Sequence, residues 1–510
     1  MVDHSRRKRN LLRNSFFNSS SWASSVIANL VTIPLLVHFL GVELYGIYAL
    51  LTGLYGYFSL LDLGLGQGII RYVAHYRGLD QEQGLFQSVN SALLIQVVLG
   101  IAGFVALVLF AEDILHALNI GSPHFSESWT ALMLSAVGFL VTMILGNFSF
   151  VLQGLQRFDL LAKINAVFSI AGALSTVAVV ILGGGLVSVV AVSLIFSVGN
   201  ALAWLISAMR MMPGYRMNFS IAIQPTIEIV RFSAYTFISR LGNLLNTYFV
   251  RFIVSMFWGP QAVTYFVVPM KLASFFQGAI GSLAGVLFPF TTDAMAQGKD
   301  EKLKSVYLRS STYLAAVSLP ALLFLVIFAR QVLSVWMGEM FSSTAWPTLT
   351  LLALSSLLSI LTMAPTNAAL GLGKSREIAI FSSGVVAINL LTSFWFTAKW
   401  GFVGTAVSVL VTQSMALPFV WYVTEKSIGM SWQKYVKDVF RVQAAPVAIF
   451  TSLGLVIVLL ANSVGFHHDL AVLCCGAFLP LGFYVYAVRS GIISIADIRM
   501  AFPKKSARPT

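Results

Sequence analysis

The sequence predicts an all-α integral membrane fold. It comprises about 14 transmembrane helices, of which twelve form two six-helix lobes related by a pseudo-two-fold repeat around a central cavity and two lie C-terminal to them. Three observations carry this expectation. Of 510 residues, 58% are hydrophobic and only 10% charged, whereas soluble domains hold about 25% charged residues. Apolar runs of spanning length recur along the whole chain. The first six of these runs also match the next six at a nearly constant offset. The net charge of +13 would in a soluble protein point to nucleic acid. Here the basic residues cluster in short loops between apolar runs, which is a topology signal, and no nucleic-acid partner is expected.

The runs fall near 15–40, 44–70, 86–111, 129–152, 160–182, 186–209, 229–257, 261–291, 305–329, 346–370, 377–398, 402–424, 442–462 and 470–489. Tight turns at Gly41-Val42-Glu43, Gly183-Gly184-Gly185 and Gly259-Pro260 join antiparallel neighbours. With the N-terminus placed inside, 27 of the 32 Lys and Arg fall in cytoplasmic loops and ends, two (Arg330 and Lys399) fall outside, and Arg240, Arg251 and Lys271 lie within spans. This asymmetry predicts cytoplasmic termini. The twin arginine Arg6-Arg7 precedes a full span and is read as a basic anchor, not an export signal. Glu112 to Leu118 reads as a short outer interfacial helix. Ser427 to Arg441 sets Trp432, Tyr435, Val436 and Val439 against Lys434, Lys437 and Arg441, which predicts a helix lying on the inner leaflet. The expected division is 1–210 (N-lobe, spans 1–6), 211–426 (C-lobe, spans 7–12) and 427–510 (interfacial helix, spans 13 and 14, and tail).

The repeat has an offset near 218. HFLGVELYGIYAL from His38 matches MFWGPQAVTYFVV from Met256, so Gly41 falls on Gly259. Ala111-Glu-Asp-Ile-Leu falls on Ala329-Arg-Gln-Val-Leu, and Gly154-Leu-Gln-Arg157 on Gly371-Leu-Gly-Lys374 at 217. Six spans per copy is even, so both copies keep the same orientation, with an axis along the membrane normal.

The charges inside spans carry the functional reading. Arg240 and Arg251 are 11 residues apart, about three helical turns, and so point from one face with Asn243 and Thr247. A guanidinium in lipid is costly by a few kcal/mol or more, so this face is expected to meet a water-filled cavity and an anion. The repeat sets Ser25 opposite Asn243 and Asn29 opposite Thr247. Span 8 carries Lys271, Ser274 and Gln277, with Lys271 about 16 Å along the helix from Pro260, too deep to snorkel easily. Asp62, an acid within a span, is either a coupling-ion or proton acceptor or a structural brace for the glycine-rich end of span 2.

The segment Leu61-Asp-Leu-Gly-Leu-Gly-Gln-Gly-Ile-Ile-Arg71 follows a FLGVELYGIYAL turn. It resembles the second helix of Wzx-type polysaccharide exporters of the multidrug/oligosaccharidyl-lipid/polysaccharide (MOP) superfamily. The resemblance extends to the span layout of the whole chain. It implies a flippase, not an enzyme, that moves an undecaprenyl-diphosphate-linked oligosaccharide (an O-antigen or exopolysaccharide repeat unit) across the bacterial cytoplasmic membrane by alternating access. It also implies a cationic cavity and a lipid-facing groove at spans 13 and 14. The expected partners are the lipid-linked glycan, membrane lipid, and polysaccharide polymerase and chain-length proteins. No cofactor and no metal are expected, and either an ion gradient or product removal is the expected drive. On this reading Arg240, Arg251 and Lys271 meet the diphosphate, since guanidinium forks suit phosphate, while Asn243, Thr247, Ser25, Asn29 and Gln277 line the cavity.

Other motifs lead elsewhere and are set aside. Gly371-Leu-Gly-Lys374-Ser375 mimics a P-loop tail, but position 368 is alanine and the repeat makes the segment an inner loop. Gly64-x-Gly66 has no βαβ unit around it. The adjacent Cys474 and Cys475 are packing residues, and His467-His468-Asp469 is a solvated outer loop. A drug-cation antiporter of the same superfamily would favour acidic cavity helices. A peptidoglycan-precursor (lipid II) flippase has an equally anionic substrate and stays open. Neutralising Arg240 or Lys271 to Gln is expected to abolish export while the protein still inserts, read from surface glycan and membrane-fraction protein level; full export from both variants would refute a cationic cavity.

Overall fold

A computed structural model describes residues 26–58, 65–218, 248–296, 300–463 and 469–491. It divides into two compact units, residues 1–264 and 265–510, each taken here by itself. Among the described residues, ten helices are long and apolar enough to cross a membrane.

The first unit holds α1 (Val26–Leu40), α2 (Val42–Phe58), α3 (Leu65–Gly78), α4 (Glu82–Leu109), the short α5 (Ala111–Ala117), α6 (Ser122–Gly154), α7 (Phe158–Ile181), α8 (Leu186–Met211) and the first part of α9 (Val250–Ala296). Helix α6 is the hub, packing on α2, α3, α4, α7 and α8. It runs parallel to α8. At one end the Leu186 N–H donates to Glu127 Oε1 at 2.8 Å, so a carboxylate of α6 satisfies an orphan donor at the α8 N-terminus. At the other end Ile69, Val73, Val89, Leu93, Phe148, Val151, Leu152 and Ala208 form a buried core. Gly66 and Gly154 let α3 approach α6: a Cβ at Gly66 would enter the Phe150 ring, and one at Gly154 would strike Val73. The Arg77 guanidinium closes this end by donating to the Leu155 carbonyl at 2.9 Å. The strap after α8 is pinned by Asn90 of α4. Its Oδ1 accepts from the Tyr215 hydroxyl (2.7 Å) and the Asn218 N–H (3.2 Å), and its Nδ2 donates to the Arg216 carbonyl (3.2 Å). Burial pushes the Tyr215 phenol up, which keeps it a donor.

The second unit holds the rest of α9, then α10 (Asp300–Ile327), α11 (Ala329–Met337), α12 (Glu339–Leu361), α13 (Met363–Gly371), α14 (Ser375–Ser414), α15 (Leu417–Tyr422) running into a π-helical turn (Val423–Ser427), α16 (Trp432–Ser463) and α17 (Asp469–Arg489). The helix bounds repeat those of the first unit. Glu82–Leu109 corresponds to Asp300–Ile327 at an offset of 218, and Ser122–Gly154 to Glu339–Gly371 at 217. Backbone detail repeats too. Phe110 and Phe328 cap α5 and α11 at φ −102°, ψ 17° and φ −101°, ψ 23°. Gly41 and Gly259 both turn through positive φ, 84° and 75°. Arg157 N–H donates to Leu152 and Lys374 N–H to Ala369, the same C-terminal turn in both copies. The positive-φ residue is Gln156 in the first copy and Gly373 in the second.

Helix α14 is two runs of the sequence joined at Gly401 (φ 64°, ψ −150°). Side chains 8 to 19 residues apart hydrogen-bond across this bend: Thr397 with Thr405 at 2.6 Å, Thr392 with Ser408 at 2.6 Å, and Ser408 to Asn389 Oδ1 at 3.0 Å. In a straight helix those separations would be about 12 to 28 Å, so the arms fold back as a hairpin zipped by buried hydroxyls. The outermost pair, α16 and α17, packs on α10, and α17 also on α11.

Two expectations change. The stretch to Arg441 is not a separate surface helix: Trp432–Ser463 is one continuous helix. Its first turns turn inward because Tyr435 stacks on Tyr307 of α10 (5.3 Å between centroids), while Gln443 donates to the Thr312 carbonyl. Span 10 is likewise divided, ending at Leu361 and resuming at Met363. The Asn389→Leu variant should remove the Oδ1 acceptor that the Ser393 and Ser408 hydroxyls share and destabilise the protein by about 1–3 kcal/mol, measured as a lower Tm in detergent.

Candidate functional site

Of the residues singled out from the sequence, Ser25, Asp62, Arg240, Asn243 and Thr247 lie outside the described residues, as do His467 and His468. Asn29 and Arg251 fall in the first unit, Lys271 and Gln277 in the second; all four are half-buried, Asn29 on the shorter apolar helix α1 and the other three on a helix of spanning length.

The geometry is most complete around Arg251. Its helix, Val250 to Trp258, runs antiparallel to α2. The Arg251 guanidinium carbon sits 5.2 Å from the centroid of the Tyr248 ring, one turn earlier on the same helix. A positive charge over a π face is worth about 0.5–2 kcal/mol, more where water is excluded. Its Nη1 reaches α2 at Gly53, 3.8 Å from where a Cβ would stand. Gly53 thus lies in van der Waals reach of both the Arg251 guanidinium and the Tyr248 ring. Tyr45, two turns earlier on α2, is fully buried. The neighbouring Tyr48 hydroxyl meets Ser193 Oγ of α8 at 3.4 Å, which ties α2 to the body of the first unit. A planar, always-charged donor held this way is suited to two phosphate oxygens at once.

In the second unit Lys271 lies on α9, and two turns further Gln277 donates to Ser359 Oγ of α12 at 2.7 Å. The Gln277 amide is thereby oriented by a hydrogen bond between helices. Lys271 and Gln277 are six residues apart, about 240° around a helix, so they do not share one face.

Tyr45, Gly53, Tyr248 and Ser359 did not stand out in the sequence. For Tyr248 a signal existed, its i,i+3 spacing to Arg251. The others come from distant segments. Among the described residues no cluster of three or more His, Cys, Asp or Glu is placed to hold a metal.

Comparison with solved structures finds the same helical fold in known membrane proteins. The chain superimposes on the lipid II flippase MurJ in an inward closed conformation with a TM-score of 0.76, at 14% identity over 94% of this chain and all of that one. An inward-facing multidrug resistance MATE family transporter of the MOP superfamily gives 0.68, at 16% identity over 79% of this chain and 94% of that one. The family described as "Polysaccharide biosynthesis protein" (Polysacc_synt) matches residues 11–295, and the chain belongs to it. A relative from Shigella flexneri, described as "Putative O-antigen transporter", is 23% identical over 402 residues, 78% of this chain and 94% of its own length. The Bacillus subtilis membrane protein EpsK is 21% identical over 64% of this chain and 65% of its own length. The protein is therefore a multi-pass membrane protein of this polysaccharide biosynthesis family, as the DLGLGQG resemblance implied.

Replacing Arg251 with Lys keeps the charge but removes the flat face over Tyr248. An export defect of about 2- to 30-fold is expected, matching the range of a lost cation–π contact, with protein level unchanged. The measurement is surface glycan per membrane-inserted protein.

Proposed function

We propose that this protein is a flippase for an undecaprenyl-diphosphate-linked oligosaccharide, an O-antigen or exopolysaccharide repeat unit, carried from the inner to the outer leaflet of the bacterial cytoplasmic membrane. The observation that carries the reading is the Arg251 guanidinium, set over the Tyr248 ring and against Gly53 of α2, in a chain whose Shigella relative is described as an O-antigen transporter. A diphosphate offers about two negative charges and many acceptor oxygens to such a cation. Arg240, Lys271, Asn243, Thr247, Ser25, Asn29 and Gln277 line the rest of the path, and Asp62 is the candidate for a coupling ion. The two six-helix lobes (1–210 and 211–426) rock about the cavity, the head group passes through it, and the lipid tail stays in the bilayer against the C-terminal helices. Both termini are cytoplasmic. Polymerase and chain-length proteins take the product further.

The lipid II reading is favoured by one observation, the 0.76 TM-score to MurJ. Deletion of the gene separates the alternatives. Loss of surface polysaccharide with accumulation of its lipid-linked precursor is expected. Lysis with accumulated lipid II would select the peptidoglycan reading, and unchanged glycan with lost drug resistance would overturn both.

A further inference from the structure

The second unit holds a polar break in a span that its first-unit counterpart lacks. Helix α12 ends at Leu361 and α13 begins at Met363, within one span of 33 residues (Glu339–Gly371). The cause is local. Pro365 carries no N–H, so the Leu361 carbonyl loses its helical donor. The Thr362 hydroxyl turns back to the Ser359 carbonyl at 2.7 Å, and the ladder resumes with the Thr366 N–H on the Thr362 carbonyl at 3.0 Å. The duplicated pattern does not require this. At the offset of 217 the equivalent stretch of α6 runs unbroken through Ile144, Leu145 and Gly146, with Phe148 in the place of Pro365. Thr362 lies nine residues from Gly371, about 14 Å along the span. At that depth a backbone carbonyl without a donor is tolerated only against protein or a water-filled cavity.

Helix α9 of the same unit leans on the break. Gln277 Nε2 donates to Ser359 Oγ at 2.7 Å. One turn further, a Cβ at Gly281 would stand 3.4 Å from Met363 Cε. The bond to Ser359 orients the Gln277 carboxamide and leaves its second N–H and its carbonyl oxygen for a ligand, and the Ser359 hydroxyl keeps a proton to donate. Gln277, Ser359, Leu361 and Thr362 are all half-buried, so the break is not sealed in the core. Its donors and acceptors are neutral and closely spaced, which suits the hydroxyls of a sugar ring. Lys271 lies six residues back on α9, about 9 Å along it. Its charge opposes a cation at the break and favours an anion beside it. A diphosphate at Lys271 puts the sugar that it carries against Gln277 and the broken segment.

We propose that the break in this span is a subsite for the first sugar of the lipid-linked glycan, read by Gln277, Ser359 and the Leu361 carbonyl, and that Pro365 is the residue that creates it. The subsite rests on the flippase reading for its lipid carrier, and it adds where the sugar, as distinct from the diphosphate, is recognised.

The test measures the affinity of the purified full chain, in nanodiscs, for undecaprenyl diphosphate and for the same lipid carrying one hexose or one N-acetylhexosamine. The wild type is expected to bind one of the sugar-bearing lipids about tenfold more tightly than the bare diphosphate. Pro365→Ala returns an N–H to the Leu361 carbonyl. It is expected to erase this preference while its affinity for the bare diphosphate stays at the wild-type value. Gln277→Leu is expected to lose the preference as well. Equal affinity of the wild type for bare and sugar-bearing lipids overturns the proposal, as does a preference that survives in either variant. A preference present in sodium and absent in potassium assigns the break to an ion and also overturns it. Where Pro365→Ala cannot be purified, Gln277→Leu decides. Binding of the bare diphosphate without any sugar preference rejects the subsite alone, whereas failure of all three lipids to bind rejects the flippase reading and the subsite with it.

Discussion

Hydrocarbon offers no partner to a polar group, and most of this structure follows from that. Hydroxyls in spanning helices turn back on their own backbone: Thr52, Thr142, Thr176 and Thr366 each donate to the carbonyl four residues earlier. Polar side chains that cannot do so are collected between helices, as in the Asn389–Ser393–Ser408 network. Helix ends are met by Glu127 and Arg77. Arg251 is the departure from this economy. It is a permanent charge on a span, set over the Tyr248 ring and against Gly53, and its cost in lipid makes it the first candidate for a functional residue.

The two copies of the helical pattern share their scaffold and differ in their chemistry. Their helix ends coincide at offsets of 217 and 218, down to the dihedrals of the Phe110 and Phe328 caps. Position 33, the first-copy equivalent of Arg251 at that offset, is a buried isoleucine. The cation and the Tyr248 ring beneath it thus both belong to the second copy's first helix, while the first copy contributes Gly53. The contact joins the first helix of one copy to the second helix of the other.

The sequence legible on its own was the part set by local rules. Hydropathy located the ten helices of spanning length among the described residues. Gly41, Gly183 and Gly259 marked turns, and each takes a positive φ that side chains resist. Glu112 to Leu118 was recognisable as a short helix. What escaped was set by partners far away in sequence. An apolar stripe on 432–441 shows that one face avoids water, not whether it meets lipid or protein. Tyr307, 128 residues earlier, decides the matter by stacking on Tyr435. Arg251 was conspicuous as a charge, but its contact on α2 at Gly53 is some 200 residues distant and carries no polar signature. The layout of the candidate site was thus readable on one helix and not across two.

The strap held by Asn90 has an entropic meaning. A free connector between two bundles behaves as a polymer whose closure entropy changes only slowly with length, about 0.6 kcal/mol per doubling. Here residues 215–218 are already fastened to α4 through three hydrogen bonds. Whatever follows residue 218 starts from a stationary attachment point instead of a fluctuating chain end. Fixing these four residues on α4 shortens the free connector by that much, which by the same logarithm changes its closure entropy only slightly.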